Sequence, residues 1–160
     1  MRLNQYITEK WVFPDNKTLK ADFSEYKHKE DYKWKRRAEQ IGARFPIFAD
    51  FNDFKTRLKK ARVVDLTPAV DNQITNRSHT SSIESLKSLV GSYSRPRNVD
   101  RIVQGLMSDA KMPYPIVLKG NRGMWIMAGN TRLDTTFLLG KKPKVLMVDV
   151  SDESFGNGFN

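Results

Sequence analysis

The last third of the chain alternates short apolar runs with turn residues, and this pattern limits the fold more than any other feature. Two apolar runs, "PIVLK" at 115–119 and "MWIMA" at 124–128, flank "GNRG", which is typical of a tight turn between strands. A helical segment at 131–139 ends at Gly140, and "KVLMVDV" at 144–150 is continuously apolar, as in a buried strand. The order strand, turn, strand, helix, strand predicts a small mixed α/β unit.

Earlier segments predict helices and one further strand. Apolar residues recur at helical spacing in four segments, which are 24–41, 50–61, 83–90 and 98–108. The first of these helices has Ser24 as its candidate N-cap and is expected to end at Gly42. The segment "ARVVDLTP" at 61–68 predicts a short strand closed by Pro68, and the polar segment 71–82 predicts a loop.

These elements together predict an α+β fold. A small mixed sheet with packed helices is expected over 61–150, preceded by a basic, mostly helical extension at 1–60 and followed by a flexible tail at 151–160. No run of the chain approaches the roughly 18 apolar residues of a membrane span, and the N-terminus has no apolar signal-peptide segment, so we expect a cytoplasmic protein without a membrane partner.

The charge balance indicates a polyanionic partner. The chain carries 28 Lys and Arg against 18 Asp and Glu, a formal net charge of +10. Such an excess favours a nucleotide, a nucleic acid or an acidic protein surface. The chain has no cysteine, which excludes disulfides and thiolate chemistry, and its two histidines lie far apart in sequence, so no metal site is predicted.

The segment "GNTR" at 129–132 carries the most specific chemistry, because it stands where a strand is expected to turn into a helix. A helix N-terminus presents free N–H groups and partial positive charge, and Gly129 lets the backbone approach a phosphate closely. Asn130 and Thr131 can add hydrogen bonds, and Arg132 can add a bidentate fork. The same residues also fit a purely structural role, with Asn130 as N-cap or Thr131 and Asp134 as a capping pair.

The ordered set of elements resembles the ParB/sulfiredoxin-like superfamily, and phage-type members in particular, over about residues 62–150. The residues that carry the resemblance are an opening strand at 63–68, the "PIVL" strand at 115–118, the Gly-x-x-Arg element at 129–132, and the "LG" helix end at 139–140. Sulfiredoxins have a cysteine in the Gly-x-x-Arg element, where this chain has Asn130, so the resemblance excludes that activity.

Other branches of the superfamily bind CTP, or use ATP to phosphorylate free serine, with the nucleotide phosphates at the Gly-x-x-Arg element. The resemblance therefore implies ATP or CTP with Mg²⁺ as ligand, and phosphotransfer or nucleotide hydrolysis as candidate activities. The kinases carry a catalytic Glu after the proline that follows the opening strand. The nearest acid here is Asp71, which is shorter and shifted in position, and Glu84 is a second candidate that also fits a helix cap.

Family members also carry a second phosphate-binding arginine, for which Arg77 and Arg97 are competing candidates. Arg77 follows the opening strand at a suitable distance, and Arg97 directly precedes the helix before the "PIVL" strand. The loop around Arg77 also contains three polar residues that suit phosphate binding, Ser78, His79 and Thr80.

Two other functions remain open at this point. A DNA- or RNA-binding module, including a nuclease-type module, is suggested by the net charge and by four consecutive or near-consecutive cations on the helix at 24–41, namely Lys33, Lys35, Arg36 and Arg37. A phage effector that binds an acidic host protein, and would act in the host cytoplasm, is the third hypothesis, because a fold does not determine a function.

Overall fold

The computed structural model describes residues 10–28, 31–92, 98–108 and 110–151. Within these ranges the chain forms seven helices and seven strands. In chain order they are β1 (Lys10–Val12), α1 (Asn16–His28), α2 (Asp31–Ile41), α3 (Phe51–Lys59), β2 (Arg62–Asp65), α4 (Pro68–Asp71), β3 (Ile74–Thr75), α5 (Ile83–Gly91), α6 (Val99–Met107), β4 (Lys111–Pro113), β5 (Ile116–Lys119), β6 (Met124–Ala128), α7 (Asn130–Leu138) and β7 (Lys144–Asp149).

Five strands form a mixed sheet in the order β2-β7-β5-β6-β3. The hairpin strands β5 and β6 are antiparallel, β7 runs parallel to β5, and β2 closes one edge antiparallel to β7. The short strand β3 extends the other edge parallel to β6, while β1 and β4 form a separate two-stranded parallel ladder. The expected mixed sheet with packed helices is confirmed at this level.

Both faces of the sheet are covered by helices, because side chains alternate along each strand. On β7, Leu146 and Val148 belong to a core that includes the apolar faces of α1, α2 and α3. Val145 and Met147, which alternate with Leu146 and Val148 along the strand, pack in a second core with Leu133 of α7. Helices α1, α2 and α3 therefore form one of the two helical layers and pack against strands of the predicted 61–150 domain, so the domain boundary at residue 60 stays a prediction.

Most elements of the main sheet and its helices agree with the predictions, with one clear error. The predicted start of the helix at 24–41 is wrong, because α1 already begins at Asn16, and Ser24, the expected N-cap, lies inside it; the rest of the segment is helical as α1 and α2, with residues 29–30 outside the described ranges. Its apolar face is nevertheless confirmed, since four predicted core residues are buried, namely Tyr26, Trp34, Ala38 and Ile41. Gly42 ends α2 with a φ of +71°, as expected for a left-handed helix end.

Other differences lie in short elements. The segment 71–82 was expected to be a loop but contains the end of α4 and strand β3, and its capping residue for α5 is Ser82, which accepts a hydrogen bond from the Ser85 N–H. Of the predicted tail, only Ser151 is described, and it is buried and bridges to Ala43; residues 152–160 lie outside the described ranges. In the part of the chain that is described, no helix has both the length and the apolar character needed to cross a membrane.

Candidate functional site

The N-terminus of α7 is open, because no side chain caps it. Gly129 occupies the N-cap position in a left-handed conformation, with φ of +94°, and the capping roles expected for Asn130 and for Thr131 with Asp134 are wrong. A Cβ atom at Gly129 would lie 2.6 Å from the Cβ of Pro115 and 2.9 Å from Nη2 of Arg132. The position therefore requires glycine, and the Arg132 guanidinium lies directly against the start of the helix.

A cavity of about 390 Å³ opens beside this helix end, between α1, α2, β6 and α7, and we call it the α7 cavity. The predicted phosphate-binding segment Gly129–Arg132 forms one wall. Among the described residues, six further side chains give the rest of the cavity its character. They are the carboxylates Asp22 and Glu25, the aromatic rings Tyr26, Trp34 and Trp125, and the cation Arg37. The cavity thus combines basic, acidic and aromatic groups.

Arg37 is held in this cavity by aromatic rings rather than by a carboxylate. Its guanidinium lies 4.8 Å from the ring centroid of Trp34 and 4.7 Å from that of Trp125. Across the described ranges its guanidinium has no hydrogen bond or ion pair. Burial lowers the pKa of Arg37, because the charged form loses hydration. The group remains a cation, since arginine is protonated throughout the physiological range.

A second group of polar side chains, which we call the Arg77 cluster, lies on the other side of Asn130 and is buried around Arg77, Asp71 and Asp134. It consists of Asp71, Arg77, Ser78, His79, Asn130 and Asp134. The Arg77 side chain is 1% exposed and forms ion pairs with both carboxylates, from Nε to Asp71 at 2.5 Å and from Nη2 to Asp134 at 2.8 Å. Its Nη1 donates to the side-chain and backbone oxygens of Asn130.

The remaining contacts tie this cluster to the start of α7. The Ser78 hydroxyl donates to Asp134 at 2.7 Å, and the Ser78 N–H donates to the Asn130 side chain at 3.2 Å. The Asn130 amide donates in turn to the carbonyl of Asn76 at 2.8 Å. Because Asn130 also lines the α7 cavity, the cluster fixes the first residue of the helix.

The electrostatics of the Arg77 cluster are dominated by two carboxylates that share one guanidinium. Burial raises the pKa of Asp134, and the hydrogen bond from Ser78 and the charge of Arg77 only partly offset this. His79 places Nε2 2.9 Å from Asp71, and its side chain is 45% exposed, so it is the part of the cluster that solvent reaches.

The structure thus divides the predicted phosphate-binding and catalytic residues into separate groups. Gly129, Asn130, Thr131 and Arg132 line the cavity, whereas the Arg77 guanidinium is directed to Asp71 and Asp134. Ser78 and His79 belong to the Arg77 cluster, and the Thr80 hydroxyl is buried without a partner in the described chain. Arg97, the alternative to Arg77, lies outside the described residues.

Neither predicted catalytic carboxylate lines the α7 cavity. Asp71 is buried and receives hydrogen bonds from Arg77, and it lies 2.9 Å from the His79 ring nitrogen. Glu84 is 86% exposed on α5 and lies 3.8 Å from the ammonium of Lys87. The carboxylates that do line the cavity, Asp22 and Glu25, were missed, because acids three residues apart on a polar helix are typical of a solvated face.

The four predicted nucleic-acid-binding cations also separate. Lys33, Lys35 and Arg36 are exposed on α2, while Arg37 turns inward to the two tryptophans. Beside them Tyr32 is 58% exposed.

No metal-binding group is evident in the parts of the chain that are described, since no three or more His, Asp or Glu side chains are arranged to hold an ion there. The chain matches no protein-family model, no curated protein and no solved structure.

Proposed function

We propose that the α7 cavity binds the phosphate groups of a nucleotide, in a domain of the ParB/sulfiredoxin-like kind that the order of its elements resembles. The observation that carries this proposal is the uncapped N-terminus of α7, which opens into a cavity lined by Arg132 and Arg37. Free N–H groups, the positive end of a helix and guanidinium groups all favour a phosphate in such a place. A volume of about 390 Å³ lies within the usual range of small-molecule sites.

The role of each element follows from its chemistry. The first-turn N–H groups of α7 and the Arg132 guanidinium donate to phosphate oxygens, and Gly129 allows the close approach that these bonds need. The Arg77 cluster holds Asn130 and so keeps the helix start in place. We assign Arg77 this positioning role rather than direct contact with phosphate, because its donors are directed to Asp71, Asp134 and Asn130.

If the chain transfers a phosphoryl group, the base would come from α1. Asp22 and Glu25 are the carboxylates that line the cavity, and either can accept a proton from a hydroxyl group or hold Mg²⁺ beside a phosphate. ATP or CTP with Mg²⁺ is the ligand that the family resemblance implies. In phosphoryl transfer most of the rate comes from positioning and charge neutralisation, which the basic wall of the cavity would supply.

Thermal unfolding with ATP, ADP, CTP and GTP, each with and without Mg²⁺, tests nucleotide binding. A ligand at 100 times its Kd stabilises a protein by about 2.7 kcal/mol, which for a chain of this length is a shift of roughly 5–11 °C. We expect such a shift for at least one nucleotide in the wild type and in Arg36→Ala, and a much smaller one in Arg132→Ala. No shift with any nucleotide in the folded wild type would refute the proposal.

Nucleic-acid binding is a second candidate, and the exposure of one aromatic residue favours it. Tyr32 lies on α2 among the exposed cations Lys33, Lys35 and Arg36, and an exposed ring beside cations suits stacking on a single strand. Fluorescence anisotropy with labelled single-stranded DNA and RNA over a salt series measures this. Replacing the three cations by Gln should reduce the slope of log K against log salt by about 2, and an unchanged slope would exclude this surface.

A further inference from the structure

Two neighbouring arginines of α2 have opposite environments, and the difference points to a ligand. Arg36 is exposed to solvent, whereas Arg37 is partly buried between the indole rings of Trp34 and Trp125. Cation–π contacts compensate only part of the hydration that a guanidinium loses on burial. The Arg37 side chain thus gives up hydration in the wall of a cavity without gaining a carboxylate.

The same protein shows how a buried arginine is otherwise accommodated. Arg77 is 1% exposed and has ion pairs to Asp71 and Asp134, which is the usual arrangement for a buried charge. The carboxylates Asp22 and Glu25 line the same cavity and have partners of their own, and within the described ranges neither is paired with Arg37. The guanidinium of Arg37 therefore keeps its donors for another acceptor.

Trp34 adds an independent observation at the same place. Its side chain is 5% exposed and lines the cavity, and its indole N–H has no acceptor within the described ranges. A buried donor without an acceptor costs free energy, and an anionic oxygen bound in the cavity would supply one.

We infer that Arg37 is a second anion-binding group of the α7 cavity, so that the cavity accepts a ligand with two or more linked anionic groups, such as the polyphosphate chain of a nucleoside di- or triphosphate. One phosphate binds at the N-terminus of α7 and another at Arg37. The inference rests on the proposed function for its first phosphate, and it adds a second phosphate subsite formed by residues outside the family resemblance.

The aromatic rings support a phosphate at this subsite rather than a base. Arg37 covers a face of both Trp34 and Trp125, and those faces are therefore closed to a nucleobase. Contact with two rings restricts the Arg37 side chain, and a restricted guanidinium loses less conformational entropy when it binds an anion.

The test compares Arg37→Gln with Arg36→Gln, which remove the same charge from adjacent positions of one helix. Affinities for ATP, AMP, CTP, CMP and inorganic triphosphate are measured by isothermal titration calorimetry, with urea unfolding to establish that each variant is folded. We expect Arg37→Gln to weaken the tightest triphosphate at least 10-fold and its monophosphate less than threefold, which corresponds to the loss of a charge-assisted contact. Arg36→Gln should leave both affinities unchanged.

A second pair of variants protects the test against a folding defect. Arg37→Met keeps an unbranched side chain against the two indole rings without the charge, and Arg36→Met is its control. Equal triphosphate affinities in the Arg37 and Arg36 variants, or an equal loss for mono- and triphosphate in Arg37→Gln, would overturn the inference. Arg37-dependent binding of inorganic triphosphate without nucleotide binding would keep it and refute only the proposed function, and no binding of any probe to the wild type would refute both.

Discussion

Replacing Arg77 by alanine should destabilise the protein by about 3–5 kcal/mol, the range measured when one partner of a buried ion pair is removed. The reason is that two buried carboxylates lose their shared cation. The side chains of Asp71 and Asp134 are 5% and 3% exposed, and Arg77 forms an ion pair with both. Without it two buried carboxylates share one site with no guanidinium, and among the described residues only His79 and the hydroxyl of Ser78 remain as their polar partners. For a chain of 160 residues this corresponds to roughly 6–20 °C in Tm.

The loss should depend on pH, with a sign that follows from Asp134. Burial raises the pKa of Asp134 and the Arg77 charge lowers it, so the pKa rises further in Arg77→Ala. A carboxyl group whose pKa is raised in the folded state binds a proton that the unfolded chain releases. The charged carboxylate therefore destabilises the folded protein above its folded-state pKa. This destabilisation is lost as the pH falls from the folded-state pKa towards the pKa of the unfolded chain. The difference in stability between wild type and variant should shrink between pH 8 and pH 5.

Urea unfolding followed by far-UV circular dichroism at both pH values measures these differences. Arg36→Ala is the control and should change stability by less than about 0.5 kcal/mol, since Arg36 is exposed. In the Asp134→Asn background, Arg77→Ala should cost less than in the wild type, because one of the two buried charges is already gone. A loss below 1 kcal/mol, or a loss that grows on acidification, would show that the two carboxylates are not held by Arg77.

Two further predictions concern the starts of helices α7 and α5 and are measured by the same urea unfolding. Gly129→Ala should cost more than 2 kcal/mol, because the left-handed conformation is unfavourable for alanine and the new Cβ would lie 2.6 Å from Pro115. Gly140→Ala is the control and should cost about 1–2 kcal/mol, since Gly140 has a φ of +71° but open space around it. Equal costs for the two variants would argue against the close approach at Gly129. Ser82→Ala should cost about 1 kcal/mol, since Ser82 caps α5, while Ser81→Ala should be neutral; a larger loss at Ser81 than at Ser82 would contradict Ser82 as the cap.

The C-terminal part of the fold could be predicted because its information is local. Alternation, turn residues and helix ends in 115–150 identify β5, β6, α7 and β7 without reference to distant residues. The short elements could not be predicted in this way. Strand β3 has two residues, and β1 pairs with β4 across about 100 residues of sequence, so each exists through its partner rather than through its own pattern.

In the N-terminal helices, sequence periodicity predicted which residues are buried but not the bounds of the helices. The periodicity of Tyr26, Trp34, Ala38 and Ile41 identified an apolar surface correctly, but it did not show that the helical region begins as early as Asn16. The pairing of Arg77 with both carboxylates could not be predicted either, because Asp134 lies on α7, 57 residues from Arg77, and only the fold brings the two together. A polar loop with Arg, Ser and His has the same composition whether it binds a ligand or its own chain.

The environment of Arg37, by contrast, can be inferred from its position relative to the apolar residues of α2. Trp34, Ala38 and Ile41 form an i, i+4, i+7 stripe, and Arg37 stands at i+3 from Trp34, on the edge of the buried face. Arg36 stands one residue earlier and faces solvent. A charge inside an apolar stripe must be paired, lie at the rim or line a cavity, because burying it alone is costly. Arg37 has no carboxylate partner among the described residues, and its side chain lies in a cavity wall. The position of a cation within the helical repeat, rather than the number of cations, therefore distinguishes a candidate ligand-binding residue from a solvated charge.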